Sequence, residues 1–323
     1  MTEKTRTTEA DFAQHVRQGL TDYPKHLSSR FIYDAYGDEL FRQIMKLPEY
    51  YLTASETEIL TEHAAEICSR FRGAGEPFDL IELGAGDGTK TRILLRELLN
   101  SGASFRYMPV DISENALIQL EAALSGEFPP LPIHPWQGTY FDILEEIDQL
   151  EAGPKVVLFL GSNIGNLLHP QAVQFLQRLR GCLNPGDLML IGFDQKKHPK
   201  TVLEAYNDPG GVTAAFNKNL LHRINRELDG DFNADDFLHW EVYDPESGTA
   251  KSYLVARRAQ RVRIAALDLE VSFEPWETIH TEISQKYDDR VVGWLAGEAG
   301  LEIVGNFGDP KGFYKDYLLR AGR

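Results

Sequence analysis

A glycine-rich stretch, Glu82–Lys90 (ELGAGDGTK), follows an apolar run and opens a helical pattern, the order in which nucleotide-binding loops occur. Gly84 and Gly86 let the backbone turn tightly and lie against a ligand, because no Cβ stands in the way. The N-terminus of the following helix offers free N–H groups to the same ligand. The stretch therefore predicts a cofactor site, for either a dinucleotide or S-adenosylmethionine (SAM).

Two features around this loop, the spacing with Thr89 and the acid Glu82, favour SAM over a dinucleotide, whereas the acid at Asp111 serves both NAD and SAM sites. The spacing is GxGxG, and Thr89 stands where a dinucleotide fingerprint has Gly or Ala. Glu82 precedes the first glycine, and its carboxylate suits the positive amino end of SAM. Asp111 ends the next predicted strand, where an acid accepts hydrogen bonds from both ribose hydroxyls. The alternative is a glycine-rich turn without a ligand, and the agreement of strand, loop, helix and acid argues against it.

The segments that position the loop alternate between strand and helix. From Phe78 to Asp194, short apolar runs alternate with helical patterns, which indicates a parallel α/β sheet. After Asp194 the alternation stops. Residues 201–228 are predicted as helices interrupted by DPGG, and residues 238–287 as strands that include a DPESG hairpin. A helix at 291–300 and a pair of strands follow, so an α/β core is interrupted by an α+β segment and then completed.

The first part of the chain is predicted to be helical. Apolar residues recur at helical spacing in residues 11–20 and again in residues 31–47. Ser55, with Glu58 three residues later, has the form of a capping box and predicts the start of a longer helix. We therefore expect two domains. These are a cofactor-binding core of residues 55–194 and 286–323, and a substrate-binding domain of residues 1–54 and 195–285.

The composition disfavours several partners. Asp and Glu number 49 against 33 Lys and Arg, so the formal charge is 33 − 49 = −16. A phosphate-binding surface needs clustered Lys and Arg, so we expect no nucleic acid and no anionic membrane as partner. No apolar run approaches the length of a membrane span, and the N-terminal stretch has no apolar segment typical of a signal peptide. A cytosolic monomer is the resulting expectation.

Cysteine and metal chemistry is not indicated. Cys68 and Cys182 lie far apart, and neither belongs to a CxxC pair. Both lie in apolar-periodic segments, so we expect two buried free thiols. No cluster of metal-ligand residues rises above background, and no metal is expected.

Beyond these local signals, the sequence resembles the SAM-dependent histidine Nα-methyltransferases of ergothioneine biosynthesis. The resemblance is carried by FIYDAYGDELF, LPEYYLT, IELGAGDGTKTRILL, FLGSNIGN, AYNDPGGVTAAFNKN, AALDLEV and TEISQKY, spread over residues 31–287. The glycine loop is common to many methyltransferases, whereas the GSNIGN and VTAAFN strings are more specific. The resemblance implies a class I methyltransferase core with a second α+β domain. It also implies conversion of histidine to its betaine, hercynine, by three methyl transfers from SAM.

For the cofactor, the resemblance implies that Gly84 and Lys90 contact the aminoacid part of SAM and that Asp111 contacts its ribose. Thr139 and Tyr140 stand where the family has an Asp-Phe pair beside the adenine. A threonine hydroxyl accepts a hydrogen bond from the adenine amino group more weakly than a carboxylate does. We therefore expect SAM binding, with product S-adenosylhomocysteine, and a weaker contact at Thr139.

For the reacting end of the substrate, the resemblance implies four residues. Asn166 follows a predicted apolar strand near the carboxyl edge of the sheet, and its amide offers donors to a carboxylate and an acceptor to an amine. Tyr206 and Thr213 add hydroxyl donors for the carboxylate. Tyr33 corresponds to the family tyrosine near the reacting amine, so Tyr33 and Asn166 are the expected catalytic residues. Without the resemblance, core packing would be the preferred role of each tyrosine.

For the imidazole ring, the resemblance implies Glu282 and Ser284, which are two apart on a predicted strand and so share a face. Glu282 accepts from the ring N–H and Ser284 donates to the other ring nitrogen. Tyr50 is expected to add a wall or a water-mediated contact. Ser252 stands where the family has Met, which leaves more room and a polar lining. The alternative for this strand is a half-exposed surface with its polar residues outward.

Three other functions stay open at this point. The first is a methyltransferase of the same fold that acts on another aromatic amino acid or on a histidine derivative, which Ser252 and Thr139 motivate. The second is a non-catalytic SAM-binding protein, which would need decayed substrate residues. The third is an NAD enzyme, which Thr89 disfavours.

Overall fold

A computed structural model describes residues 3–140, 142–143, 147 and 153–322. The chain forms two compact units, Met1–Tyr50 with His198–Ser284 and Tyr51–Lys197 with Gln285–Arg323. The assignment of cofactor binding to one unit and of substrate binding to the other stays a prediction.

In the described residues the helices are labelled in chain order. They are α1 (Glu3–Thr21), α2 (Ala35–Ile44), α3 (Tyr51–Gly73), α4 (Thr91–Asn100), α5 (Glu114–Glu127), α6 (His169–Gly181), α7 (Pro199–Ala205), α8 (Val212–Leu228) and α9 (Asp289–Glu298). The strands are β1 (Phe78–Leu83), β2 (Phe105–Asp111), β3 (Trp136–Gln137), β4 (Lys155–Phe159), β5 (Leu188–Asp194), β6 (Phe237–Asp244), β7 (Thr249–Ala256), β8 (Gln260–Ile264), β9 (Leu269–Phe273), β10 (Thr278–Gln285), β11 (Leu301–Gly308) and β12 (Tyr314–Ala321).

The unit that contains the glycine loop is built on a seven-stranded sheet in the order β11-β12-β5-β4-β1-β2-β3. Strands β1 to β5 pair in parallel, and β12 runs antiparallel to both β5 and β11. Every residue of β1, β4 and β5 is buried, as expected for strands covered by helices on both faces. The α/β prediction is confirmed. The strand order reverses between β1 and β4, the place where ligands of open α/β sheets bind.

Helix α3 begins earlier than the sequence predicted. Ser55 and Glu58 lie in its interior rather than at a cap, because the helix starts at Tyr51. Leu52 and Ser55 are both buried, so tertiary packing extends the helix by a turn beyond the local cap signal. The hydroxyl of Ser55 donates to Oδ2 of Asp309 at 3.3 Å instead.

The second unit combines helices with two small sheets. Strands β10-β7-β6 form one sheet and β8-β9 a hairpin, with the predicted DPESG turn joining β6 to β7. Helix α2 packs on α8, where the Asn219 amide donates to the carbonyl of Ile32 at 2.9 Å and to Asp34 at 2.8 Å. Asp34 in turn caps α2 by accepting from the N–H of Gly37. The α+β character expected for this part of the chain is confirmed.

A fully buried aspartate, Asp194 at the end of β5, holds three residues of the sheet unit. Its carboxylate accepts from the Tyr51 hydroxyl at 2.8 Å and pairs with the ammonium groups of Lys286, at 2.7 Å, and Lys197. Each of these residues lies within two positions of a place where the chain passes from one unit to the other. The Asp194 carboxylate thus binds one residue of the sheet unit next to each of the three unit boundaries in the chain.

Across the described part of the chain, no helix combines the length and apolar character that a membrane span needs.

Candidate active site

The glycine loop after β1 adopts a conformation that favours glycine. Gly84 and Gly86 have φ of +76° and +55°, in the left-handed region. A Cβ on Gly84 would also lie 2.6 Å from the Asn163 amide nitrogen and 3.0 Å from the Tyr140 hydroxyl. The backbone therefore turns where the sequence predicted it, and polar groups from two other segments lie close against it.

Asp111 meets this loop at the end of β2. Its Oδ2 accepts from the N–H of Gly86 and its Oδ1 from the N–H of Ser113, both at 2.9 Å. Burial raises the pKa of Asp111, and the backbone N–H groups of Ser113, Gly86 and Ile112 oppose that rise. A carboxylate has about four acceptor positions, so Asp111 keeps room for a further donor beside these three. This arrangement fits a ribose hydroxyl.

Glu82 lies inside the core rather than at the mouth of the loop. It is 3% exposed, and its two carboxylate oxygens accept from the hydroxyls of Thr91 and Tyr107. Burial raises the pKa of Glu82 to about 7, although both hydroxyl donors lower it. Both oxygens already have donors within the protein, so this position favours a role in fixing β1 to the start of α4. The contact with the amino end of SAM stays a prediction.

Three donor groups gather between the loops after β1 and β4. The Lys90 ammonium lies 3.2 Å from the position that a Cβ on Gly161 would take. The Asn163 amide nitrogen lies near both Gly84 and Gly161, and the Tyr140 hydroxyl lies near Gly84. Because ammonium, amide and hydroxyl groups all donate, this region suits a carboxylate. Tyr140 is held by an edge contact with Phe159 at 4.9 Å.

Thr139 has a structural partner. Its hydroxyl donates to Oδ2 of Asp142 at 2.7 Å, and its backbone N–H donates to the same oxygen at 3.0 Å. The N–H of Asp142 points back to the Thr139 hydroxyl at 3.3 Å, so the two residues form the reciprocal pattern of a helix cap. The Thr139 hydroxyl is therefore engaged with Asp142, and its contact with the adenine stays a prediction.

In the second unit, an aromatic cluster formed by Tyr33, Phe41, Tyr50, Tyr206 and Phe216 brings three of the predicted residues together. Tyr33 makes edge contacts with Phe41 at 5.7 Å and Phe216 at 5.4 Å. Tyr50 lies 6.3 Å from Phe41 and 6.1 Å from Tyr206, again edge to face. These residues come from segments more than 150 positions apart. The cluster fixes the orientation of each tyrosine ring.

The polar ends of this cluster also meet predicted residues. The Tyr206 hydroxyl and the Ser284 hydroxyl form a hydrogen bond of 2.7 Å. Thr213 is buried at the start of α8, where its N–H donates to Asp208 at 2.7 Å. Glu282 is half-buried on β10, two residues before Ser284. Tyr50, Tyr206 and Ser284 are thus joined by direct contacts, and Tyr33 connects to Tyr50 through Phe41.

Ser252 is less available than the sequence suggested. It is 1% exposed, and its hydroxyl donates at 2.6 Å to Glu241, its cross-strand neighbour on β6. His239, two residues before Glu241, is 7% exposed, and no residue in the described ranges bonds either ring nitrogen. Burial lowers the pKa of His239 to about 4, so the ring is neutral at pH 7. The Ser252 hydroxyl, which was expected to line the substrate pocket, is therefore buried between β6 and β7 and bonded to Glu241.

Asn166 closes a short 3-10 turn, Asn163–Asn166, directly after β4. It is exposed, in contrast to Gly165, whose Cα lies against the backbone of Gln285. The turn therefore presents Asn166 at the carboxyl edge of the sheet, as the sequence predicted. Sequence reasoning missed Asn163 of the same GSNIGN string, although an amide in a loop after a buried strand was the available signal.

The fold and the loop define the class of this protein. A seven-stranded sheet in this order, with a glycine loop after its first strand and an acid at the end of the second, is a class I SAM-dependent methyltransferase core. Residues 12–321 match the family described as histidine-specific methyltransferase, SAM-dependent. The chain belongs to this family, and the resemblance found in the sequence is confirmed.

Curated relatives agree with this assignment. The chain is 42% identical over 298 residues to the histidine N-alpha-methyltransferase of Mycolicibacterium smegmatis, covering 92% of this chain and 91% of that protein. It is 40% identical over 297 residues to the protein of the same name from Mycobacterium tuberculosis, with the same coverage. A more distant relative, 27% identical, is the L-tryptophan methyltransferase trpM of Psilocybe serbica, covering 95% of this chain and 92% of that protein.

Proposed function

We propose that this protein transfers three methyl groups in succession from SAM to the α-amine of L-histidine, giving hercynine and S-adenosylhomocysteine. The observation that carries the proposal is the family match over residues 12–321, together with 40–42% identity to two histidine N-alpha-methyltransferases. The substrate is a small amino acid, and we further propose that the protein acts as a monomer in the cytosol.

Within the sheet unit, the proposed cofactor contacts follow from the donors and acceptors present. Asp111 keeps acceptor capacity beside its backbone donors, which suits a ribose hydroxyl. Lys90 and Asn163 offer donors to the carboxylate of SAM, and the Gly84–Gly86 backbone approaches without a Cβ. When bound, SAM supplies a methyl group on a sulfonium, which is already a good leaving group. The protein therefore mainly contributes alignment and a neutral amine.

For histidine, the proposed contacts divide by chemistry. Asn166, Tyr206 and Thr213 offer donors to the carboxylate, and Glu282 with Ser284 reads the two nitrogens of the ring. The Tyr206 and Ser284 hydroxyls share a hydrogen bond in which either can be the donor, so one proton of the pair is left to donate to histidine. A site that pairs with both ring nitrogens rejects side chains without them strongly, since its own polar groups would be left unpaired.

Proton removal is the step that Tyr33 is proposed to assist. The α-amine is protonated at pH 7 and must lose its proton before it attacks. The proton passes to a water that Tyr33 orients, or to the Tyr33 oxygen while the Tyr33 hydroxyl gives its own proton to water. The edge contacts with Phe41 and Phe216 hold the Tyr33 ring in place for this role. We expect Tyr33→Phe to lower kcat by about tenfold or more while SAM affinity changes less than twofold.

The control for this variant is Tyr23→Phe in the same unit, because Tyr23 is 92% exposed and outside the site. Rates are measured from S-adenosylhomocysteine release, and affinities by titration calorimetry. A Tyr33→Phe enzyme with wild-type turnover would remove Tyr33 from the mechanism.

Substrate identity is tested directly. The purified protein is incubated with SAM and, separately, with histidine, tryptophan, tyrosine or phenylalanine, and products are identified by mass at successive times. We expect one, two and then three added methyl groups on histidine alone. The trimethylated product should accumulate last. Methylation of tryptophan without methylation of histidine would contradict the proposal.

A second candidate has its own support. One relative of nearly full length is an L-tryptophan methyltransferase. The same fold would then methylate the α-amine of another aromatic amino acid or of a histidine derivative. The same assay separates the two candidates, because Glu282 favours a ring with an N–H donor and an acceptor nitrogen.

A further inference from the structure

Glu56 of α3 is a buried carboxylate with partners in three other segments of the sheet unit. It is 0% exposed, and it forms an ion pair with the Lys90 ammonium from the glycine loop. The N–H of Gly161, after β4, donates to its two oxygens at 2.8 and 2.9 Å. The Tyr314 hydroxyl, on β12, donates to Oε1 at 2.9 Å. Glu56 therefore joins the two loops that flank the reversal of strand order.

Lys90 depends on Glu56 for its place. Its side chain is 19% exposed, and its ammonium lies 3.2 Å from the position that a Cβ on Gly161 would take. Glu56 fixes the same glycine through the backbone N–H. An ammonium has three donors, and the ion pair with Glu56 engages one, which leaves donors for a second carboxylate. The position of these donors is therefore set from inside the core.

A second buried carboxyl group stands beside this pair. Asp316 of β12 is 0% exposed, and none of the described residues donates a hydrogen bond to either of its oxygens. Burial raises the pKa of Asp316 well above its ordinary value, and the neighbouring charge of Glu56 adds to the rise. Glu56 and Asp316 are therefore two neighbouring buried carboxyl groups, and the Lys90 ammonium lies beside them.

We propose that Glu56 is a positioning residue for the cofactor, which acts through Lys90 and Gly161 to aim ammonium donors at the carboxylate of the SAM aminoacid tail. The inference rests on the proposed function, since it takes SAM as the ligand at Lys90. It assigns to α3, which contributes no residue to the predicted site, a part in cofactor affinity. A general structural role for Glu56 would instead affect every ligand of the site equally.

Two ligands separate these roles. S-adenosylhomocysteine has the aminoacid tail, whereas 5′-methylthioadenosine has the same nucleoside without it. Their dissociation constants are measured by calorimetry on the full chain, wild type and Glu56→Gln. We expect Glu56→Gln to weaken S-adenosylhomocysteine at least tenfold and 5′-methylthioadenosine less than twofold. In activity assays, Glu56→Gln should raise the KM for SAM, while its kcat should stay within threefold of the wild-type value.

Other variants guard the interpretation. Tyr314→Phe removes one donor to Glu56 and tests the inference where Glu56→Gln does not fold, with a severalfold loss for S-adenosylhomocysteine alone. Asp187→Asn is the matched control, because Asp187 is another buried carboxylate that accepts from backbone N–H groups of the same unit. It should lower thermal stability without changing the ratio of the two affinities.

The decisive comparison is the double variant. If Glu56 acts through Lys90, Glu56→Gln in a Lys90→Met background should add less than twofold to the loss of S-adenosylhomocysteine affinity. Equal weakening of both ligands by Glu56→Gln, or full additivity with Lys90→Met, would overturn the inference. A wild-type protein that binds neither ligand would instead overturn the proposed function.

Discussion

Replacement of Asp194 by Asn should destabilise the sheet unit severely. The Asp194 side chain is 0% exposed, and its two cationic partners, Lys286 and Lys197, are 0% and 4% exposed. Asparagine keeps the shape and removes the charge, so two ammonium groups would remain buried without their counterion. Removal of one partner of a buried ion pair costs about 3–5 kcal/mol, because an uncompensated charge stays in the core.

The pH dependence of this contribution follows from the pKa of Asp194. Burial pushes that pKa upward, but the charges of Lys286 and Lys197 hold it below its ordinary value. A carboxyl group whose pKa is depressed by folding contributes its stability fully above the unfolded pKa, and loses it as the pH falls through the folded pKa. At pH 7 the whole contribution is present, so the variant should be compared there.

Urea unfolding followed by circular dichroism measures the effect. A loss of about 3–5 kcal/mol corresponds to a Tm lower by about 6–20 °C for a unit of this size. Glu302→Gln is the control. Its pair with Arg320 is 59% and 47% exposed, and surface pairs contribute about 0–1 kcal/mol. Asp194→Asn with a stability within about 1 kcal/mol of wild type would refute the reasoning. Adding Lys286→Met should recover part of the loss, since one unpaired charge is removed.

Three further predictions concern other buried groups. Because burial lowers the pKa of His239 from 6.5 to about 4, the unfolded chain binds the extra proton between these values. Stability should therefore rise across that pH window, by about 3 kcal/mol. In His239→Gln, the free energy of unfolding by urea should differ less between pH 4.5 and pH 7 than it does in the wild type. The same difference in both proteins would contradict the prediction. Ser252→Met removes the hydroxyl that donates to buried Glu241, so we expect a loss of about 1–3 kcal/mol in thermal unfolding, with Ser252→Thr as control. Wild-type stability would show that the pair is dispensable. Iodoacetamide should label Cys182 before Cys68, since burial raises the pKa of Cys68 to about 12, and peptide mass analysis that finds equal labelling would contradict this.

The parts of the fold that the sequence predicted well are those with a local physical signal. Short apolar runs, turn residues and helical spacing depend on neighbours a few positions away, so the alternation from Phe78 to Asp194 and the DPESG hairpin are confirmed. The prediction that α3 begins at Ser55 is wrong, because contacts with residues distant in sequence decide where this helix starts. Its local pattern was right in form, but burial of Leu52 and a bond to distant Asp309 decided where the helix starts.

The candidate site divides in the same way. The glycine loop and Asp111 were predictable, because a backbone turn and the acid at a strand end each leave a signal in the sequence. Glu56 left none, since its importance comes from partners 34, 105 and 258 positions away. Cys182 was expected to be buried and is only half-buried, because it lies beyond the last turn of α6 rather than on its apolar face. The Glu241–Ser252 hydrogen bond likewise left no sign in the sequence, because it depends on the register of β6 with β7.

The division of the chain also sets the order in which its parts are completed during synthesis. Phe12 of α1 lies 4.7 Å from the Arg223 guanidinium, and the carbonyl of Phe31 accepts from the same residue at 2.9 Å. These partners lie in the segment that begins at His198, about 150 residues after Tyr50. At 5–20 residues per second, the ribosome takes about 7–30 s to cover that distance. For this interval the apolar faces of the first helices have no native partner from that segment, so folding of the second unit waits for the synthesis of residues 198–284.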